Sequence, residues 1–249
     1  MPKKHLPGRN YGSIPHLIDS HLGHHDKFID PGQHNIILRG GRDRHDEVLV
    51  SLKLDGTNVG VLRTETGLIP LQRRGYDCRS SPYEQHQQFD QWVATQAEMF
   101  TALLAPSERL VGEWLWQASG TFYRIEGDPF YAFDLFNAEG ERLPYGEFCR
   151  RCRAAGVRYI PSYSVENLAE TSRYHLMLSL DFLTPGITPY GLHHEGLIFR
   201  VERREQFDYL AKWVRKDYRA GQYLPGIGTP KDAPLKRNQI YHGWGEQWN

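Results

Sequence analysis

The sequence is poor in several features that would decide its class at once. Its 249 residues include only three cysteines, Cys78, Cys149 and Cys152, an odd number that excludes a fully paired disulfide framework and points to thiols. It has no run of 18 apolar residues, which argues against a membrane-spanning helix. The opening "MPKKHLPGRNYGSIPHL" lacks the apolar core and cleavage site of a secretory signal, so a cytoplasmic location without a membrane partner is expected. Neither charge is in excess: 30 Lys plus Arg balance 30 Asp plus Glu, so no global field attracts a polyanion and any nucleic-acid contact must be local. Internal repeats and low-complexity blocks are absent too, and one main domain is expected.

What is present begins with "EVLVSLKLDGTNVGVLR", residues 47–63. Val48, Val50, Leu52 and Leu54 alternate as one buried face of a strand, which places Lys53 on the opposite face. Asp55-Gly56 between such strands is a strong turn signal and predicts a hairpin over 47–63. Apolar residues at helical spacing predict a helix over 84–104, stopped by Pro106, and further helices are expected near 144–155 and 166–180. The strand-like runs "RLVGEWLW", "FYAFDLF", "HEGLIFRVE" and "FDYLAKWV" are interrupted by Glu113, Asp134, Glu195 and Lys212. A charge inside an apolar strand is costly unless it is paired or faces a polar cleft, so these four and Lys53 imply one shared cleft. The element pattern gives an α+β fold with antiparallel sheets.

Smaller signals read as structure. Cys149 and Cys152 have C-x-x-C spacing without two further ligands and fall on an expected helix. His21, His24 and His25 read as a surface loop. Trp244 and Trp248, near Lys236 and Arg237, form either a stacking platform or a packed tail.

Taken in order, "KLDG" (53–56), "QRRG" (72–75), "GEW" (112–114), "FDLF" (133–136), "EGLIFR" (195–200) and "AKWVRK" (211–216) resemble the motifs of the covalent nucleotidyltransferase superfamily. "IPHL" (14–17) and "KLDGTN" make the sequence most similar to its ATP-dependent RNA ligase family. Glu113 lies 60 residues beyond Lys53, and Glu195 lies 82 beyond Glu113.

The resemblance implies a nucleotidyltransferase domain over 1–219, its nucleotide cleft between antiparallel sheets flanked by helices, and a short tail over 220–249 that forms no separate domain. It implies Lys53 as the nucleophile that takes AMP from ATP, with Asp55 close by and Gly56 in the nucleotide site. Glu113 and Glu195 would contact the ribose or hold Mg²⁺ (or Mn²⁺), Phe133 would stack on adenine, and Lys212 would meet the α-phosphate. Arg73 would meet the 5′-phosphate of RNA, with Arg74, Arg215 and Lys216 as further RNA contacts. The implied partners are RNA ends and an end-healing kinase or phosphatase. An amine attacks phosphorus only when neutral, so cations such as Mg²⁺, Arg73 or Lys212 are expected to depress the pKa of Lys53.

Three departures stand beside this. Leu52 replaces the glutamate usual before the lysine, Val214 replaces the second lysine of K-x-K, and only 33 residues follow Lys216. DNA ligases and capping enzymes of the superfamily carry a β-barrel there, so a compact RNA ligase is favoured. A small DNA ligase, another adenylyltransferase and a binding protein without turnover remain the alternatives.

Overall fold

The structure is a computed structural model that describes residues 3–24, 26–191 and 193–248. The chain begins with a loop-rich segment and a short helix α1 (Pro31–Arg39), capped by the Asp30 carboxylate, which accepts from Gly32 N and Gln33 N. Then come β1 (Asp46–Lys53), β2 (Thr57–Thr64), β3 (Gly67–Gln72), α2 (Glu84–Thr95), α3 (Ala97–Leu103) and β4 (Arg109–Trp114). The remainder is β5 (Tyr123–Glu126), β6 (Phe130–Phe136), α4 (Tyr145–Ala155), β7 (Ser162–Ser164), α5 (Arg173–Phe182), β8 (Ile187–Pro189), β9 (Gly196–Arg203), β10 (Gln206–Val214) and β11 (Gln239–Tyr241).

The strands form two four-stranded antiparallel sheets, ordered β10-β9-β1-β7 and β3-β2-β4-β6, and a small sheet ordered β11-β5-β8. The mixed α+β class with antiparallel sheets is thus observed, with one exception: β11 runs parallel to β5.

One hydrophobic core joins these layers. Val48, Val50 and Leu52 of β1 enter it together with Phe89 and Trp92 of α2, Phe100 of α3, and Phe148, Cys149 and Cys152 of α4. Both α4 cysteines are buried packing residues, and among the described residues no group of His, Cys, Asp or Glu stands in metal-binding geometry. The expected helix over 84–104 is broken at Gln96 into α2 and α3. The one expected over 166–180 starts only at Arg173, because Ser172 caps it by accepting from His175 N.

His21 and His24 lie on the surface, and His25 lies outside the described residues. The segment after 219 adds β11 to a sheet, buries Ile240 and packs Trp244 against the core; the side chain of Trp248 is outside the description. No helix among the described residues is long and apolar enough to cross a membrane.

Candidate active site

The expected hairpin over 47–63 does not form. Strands β1 and β2 lie in different four-stranded sheets, and Leu54–Gly56 is the link that crosses from one to the other. Gly56 is needed for close packing: a Cβ there would stand 2.6 Å from the Trp114 carbonyl oxygen and 2.7 Å from Leu115 Cδ2. Asp55 fixes the crossing. Its Oδ2 accepts from Gly120 N at 2.6 Å and Thr121 N at 2.5 Å, and its own N donates to the Tyr123 hydroxyl at 3.1 Å. Lys53 therefore ends a strand at the mouth of a cleft between two sheets.

The ladder register sets the wall on the Lys53 side. Residues paired across an antiparallel ladder share a face, so Ser162, Ser51, Ile198 and Lys212 form one row across β7, β1, β9 and β10. Lys53, Gly196 and Val214 form the row beyond it, and Leu49, Arg200 and Leu210 the row below. β1 is covered on both sides: Leu49 and Ser51 are buried as well as Val48, Val50 and Leu52. On the opposite wall Asn58 pairs with Glu113. The β4–β6 register shifts at Val111/Gly112, leaving Phe133 as the extra residue of a β-bulge, which turns its ring into the cleft. That ring meets Tyr11 edge to face at 5.0 Å. The enclosed volume is about 810 Å³, within the range of small-molecule sites.

The chemistry gathers at the Lys53 row. Lys53 Nζ donates to Glu195 Oε2 at 2.6 Å, and Glu113 Oε1 accepts from Gly56 N at 3.0 Å. Burial, with Asp55 adding its negative charge, pushes both Glu113 and Glu195 up to about 7 even though Lys53 pulls the other way. Burial works to lower Lys53, but Glu195, Glu113 and Asp55 outweigh it and hold the ammonium above its ordinary value. The protein's own groups thus act opposite to the expected depression. Lys212 does lie lowered, by burial and then by the charge of Lys53; its Nζ sits 3.4 Å from Asp26 Oδ1. A divalent cation would find carboxylate oxygens here but no complete protein cage. Glu113 and Glu195 are the oxygen donors that Mg²⁺ would meet here, and water and substrate would have to supply the rest of its shell.

Nine of the residues singled out from the sequence line this cleft: Lys53, Asp55, Gly56, Arg73, Arg74, Glu113, Phe133, Glu195 and Lys212. Arg215 and Lys216 do not. The Arg215 guanidinium is held by the His194 carbonyl at 2.9 Å and Asp217 Oδ2 at 2.7 Å, while Lys216 is exposed outside the lining. Val214 is buried where the second lysine would stand, its N donating to Ser20 Oγ and its carbonyl accepting from His21 N.

Asp134 lines the lower wall but is closed into a network: it accepts from Tyr11 Oη at 2.6 Å, Arg142 Nε at 2.9 Å and Arg200 Nη1 at 2.6 Å. Sequence reasoning missed Tyr11 and Tyr218, which also line the site. Neither lies in a charged strand or a motif, so no periodicity marks them.

The N-terminal segment completes the wall along β10, with Lys212 N donating to Pro15 O at 2.9 Å and Leu17 N to Lys212 O at 2.8 Å. The Asp26 carboxylate also lies 2.9 Å from His16 Nε2, so it touches both His16 and Lys212.

Comparison with known proteins bears on this site. The profile described as RNA ligase matches residues 46–214. No curated relative matches the chain. Among solved structures, an archaeal ATP-dependent RNA ligase is similar with 19% identity and a TM-score of 0.50, covering 82% of this chain and 48% of that one. The Naegleria gruberi RNA ligase with PPi gives 13% identity and 0.49 over 85% of this chain and 59% of that one. A variant of the same Naegleria ligase with ATP and Mn gives 14% and 0.46 over 81% and 59%. This chain therefore spans about half the length of the archaeal protein and about three-fifths of the Naegleria one.

Proposed function

The chain belongs to the RNA ligase family, and on that premise we propose that it seals RNA, joining a 5′-phosphate to a 3′-hydroxyl with ATP through a lysyl-AMP. One observation carries the reading: Lys53 lines the cleft with its Nζ donating to Glu195 Oε2 at 2.6 Å, so a carboxyl stands where it can take the amine's proton.

In the first step Lys53 Nζ gives one proton to Glu195, forms the N–P bond to the α-phosphorus as the bond to pyrophosphate breaks, and releases a second proton to solvent, leaving a neutral phosphoramidate nitrogen. Phe133 would hold the base by stacking, and Lys212 would place its charge against the α-phosphate. In the second step an oxygen of the RNA 5′-phosphate attacks the same phosphorus and the lysine leaves, taking back its proton. In the third a 3′-hydroxyl attacks the 5′-phosphate and AMP departs. All three are in-line phosphoryl transfers at one locus, which suits a single cleft. Glu113 and Glu195 would hold a divalent cation, which would neutralise charge on the phosphates. Arg73 and Arg74, exposed at the rim, are placed to meet the RNA phosphate.

The test is direct. With ATP and Mg²⁺ the purified protein gains the mass of one AMP, and Lys53→Ala does not. Sealing is then compared on 3′-hydroxyl strands ending in two ribonucleotides or two deoxynucleotides. Faster joining of the ribonucleotide end is expected, because the 2′-hydroxyl is the group that separates the two polymers. Equal rates would point to a DNA or indifferent ligase, and absence of any adduct would leave a binding protein.

A further inference from the structure

Leu52 is 1% exposed and buried in the core, so the position before the nucleophile offers no polar group to a base. One residue earlier the strand does offer one. Ser51 is 9% exposed, lines the cleft, and its hydroxyl has no hydrogen-bond partner among the described residues. Its ladder partner on β7 is Ser162, half-buried, also lining the cleft and also without a hydroxyl partner. A cross-strand pair stands within reach of one ligand edge. Two adjacent hydroxyls open to the cleft represent donor and acceptor capacity that a ligand can use.

The neighbourhood states what would use them. Ile198, the other ladder partner of Ser51, packs against the small cluster of Tyr11, Val111, Phe136 and Leu210, and so does Phe133. Ile160 lines the wall beyond, and Tyr145 accepts from Ser162 N at 2.5 Å, pinning β7 in place. Apolar surfaces with an aromatic ring and a hydroxyl rim suit a flat heteroaromatic ring with a polar edge. Lys212, in the same row as the serines, lies at the opposite end.

Resting on the ligase reading above, we propose that Ser51 and Ser162 form the edge-reading site for the adenine base, one hydroxyl accepting from the 6-amino group and the other donating to N1. They act as specificity-determining contacts in a chain whose residue 52 cannot.

The experiment compares equilibrium binding of ATP with that of the triphosphate of purine riboside, which lacks the 6-amino group, in wild type, Ser51→Ala and Ser162→Ala. Autoadenylylation is followed in parallel. Wild type should bind ATP more tightly than the analogue. The alanine variant of the serine that accepts from the 6-amino group should narrow that ratio by about fivefold, the scale of one neutral hydrogen bond. The variant of the N1 donor, whose contact this analogue keeps, should instead narrow by about fivefold the preference for ATP over 1-deaza-ATP. A damaged pocket weakens both nucleotides alike and leaves the ratio unchanged, so the ratio separates a base contact from a structural effect. Equal binding of the two nucleotides by wild type, or an unchanged ratio in both variants, overturns the assignment. Should Ser51→Ala fail to fold, Ser162→Ala on the edge strand carries the test. Loss of adenylylation in wild type with the ratio behaving as expected would sink the ligase reading and leave the base site standing.

Discussion

Two groups of buried charge lie on the same sheet face about 13 Å apart along the strands, and they are built on opposite plans. The lower one, around Arg200, is closed. Arg200 meets Asp134 at 2.6 Å, Glu202 at 2.6 Å and the Leu143 carbonyl at 2.7 Å, and Arg142 and Tyr11 complete Asp134. Two arginines face two carboxylates, and burial is compensated. The upper one, around Lys53, is left unbalanced: a single close cation stands against Glu195, Glu113 and Asp55, and two of those carboxyls rise to about 7. A balanced network fixes a strand. An unbalanced one holds an excess of negative charge that a cation can offset.

Exchanging the two roles by mutation gives the largest effects. Arg200→Met should destabilise the fold by about 3–5 kcal/mol, because it strands Asp134 and Glu202 without a shared partner. Lys53→Ala should abolish the AMP adduct yet change stability by less than about 1 kcal/mol, since Glu195 can take up a proton near neutrality. Denaturant melts and intact-mass measurement read both. A large stability loss in Lys53→Ala would erase the distinction.

The next effect is one of pH. In the fold the Glu113 carboxyl keeps its proton to about pH 7, against 4.5 for the ordinary group. A carboxyl raised in this way stabilises the folded state fully below 4.5 and loses that contribution as pH rises through 7. Glu113→Gln should therefore be the more stable protein at pH 8, by up to about 3 kcal/mol, with the gap closing towards pH 4.5. Melts across that range check it.

Smaller changes probe the boundary between the groups. Phe133→Ala should weaken ATP binding by about 1–3 kcal/mol and Phe133→Leu by less; titration with ATP decides whether the bulged ring is a base platform or only packing. Tyr11→Phe removes the hydroxyl that Asp134 accepts from and should cost about 1 kcal/mol of stability, with ATP affinity within about twofold of wild type, as its ring still meets Phe133. Affinity falling further would mean that the lower network reaches the nucleotide.

Much of this site was legible because charge is expensive inside a strand. Glu113, Glu195, Lys212 and Lys53 each broke an apolar run, and all four line one cleft. Asp134 broke a run in the same way and also lines the cleft, but it serves the closed network; sequence cannot tell a paired buried charge from an unpaired one, since the partner lies 66 residues away at Arg200. The hairpin was misread because Asp55-Gly56 satisfies the chemistry of a two-residue turn. The glycine is demanded by the Trp114 backbone, and that contact comes from tertiary packing. The bulge at Phe133 and the Ser51–Ser162 pairing depend on strand register, which local pattern does not fix.

The crossing at Leu54–Gly56 also has a consequence in time. One wall of the cleft, β3-β2-β4-β6, uses residues 57–136, so a growing chain can pair it early. The other waits. β1 is made first of all the strands, yet its ladder partners β7 and β9 begin at residues 162 and 196, and Lys53 meets a carboxylate 142 positions further on. Closing such long loops is the slow part of folding. An early fragment that stops before Glu195 therefore holds Lys53 without its carboxylate partner, and the charged end of the cleft is complete only with the last strands of the second wall.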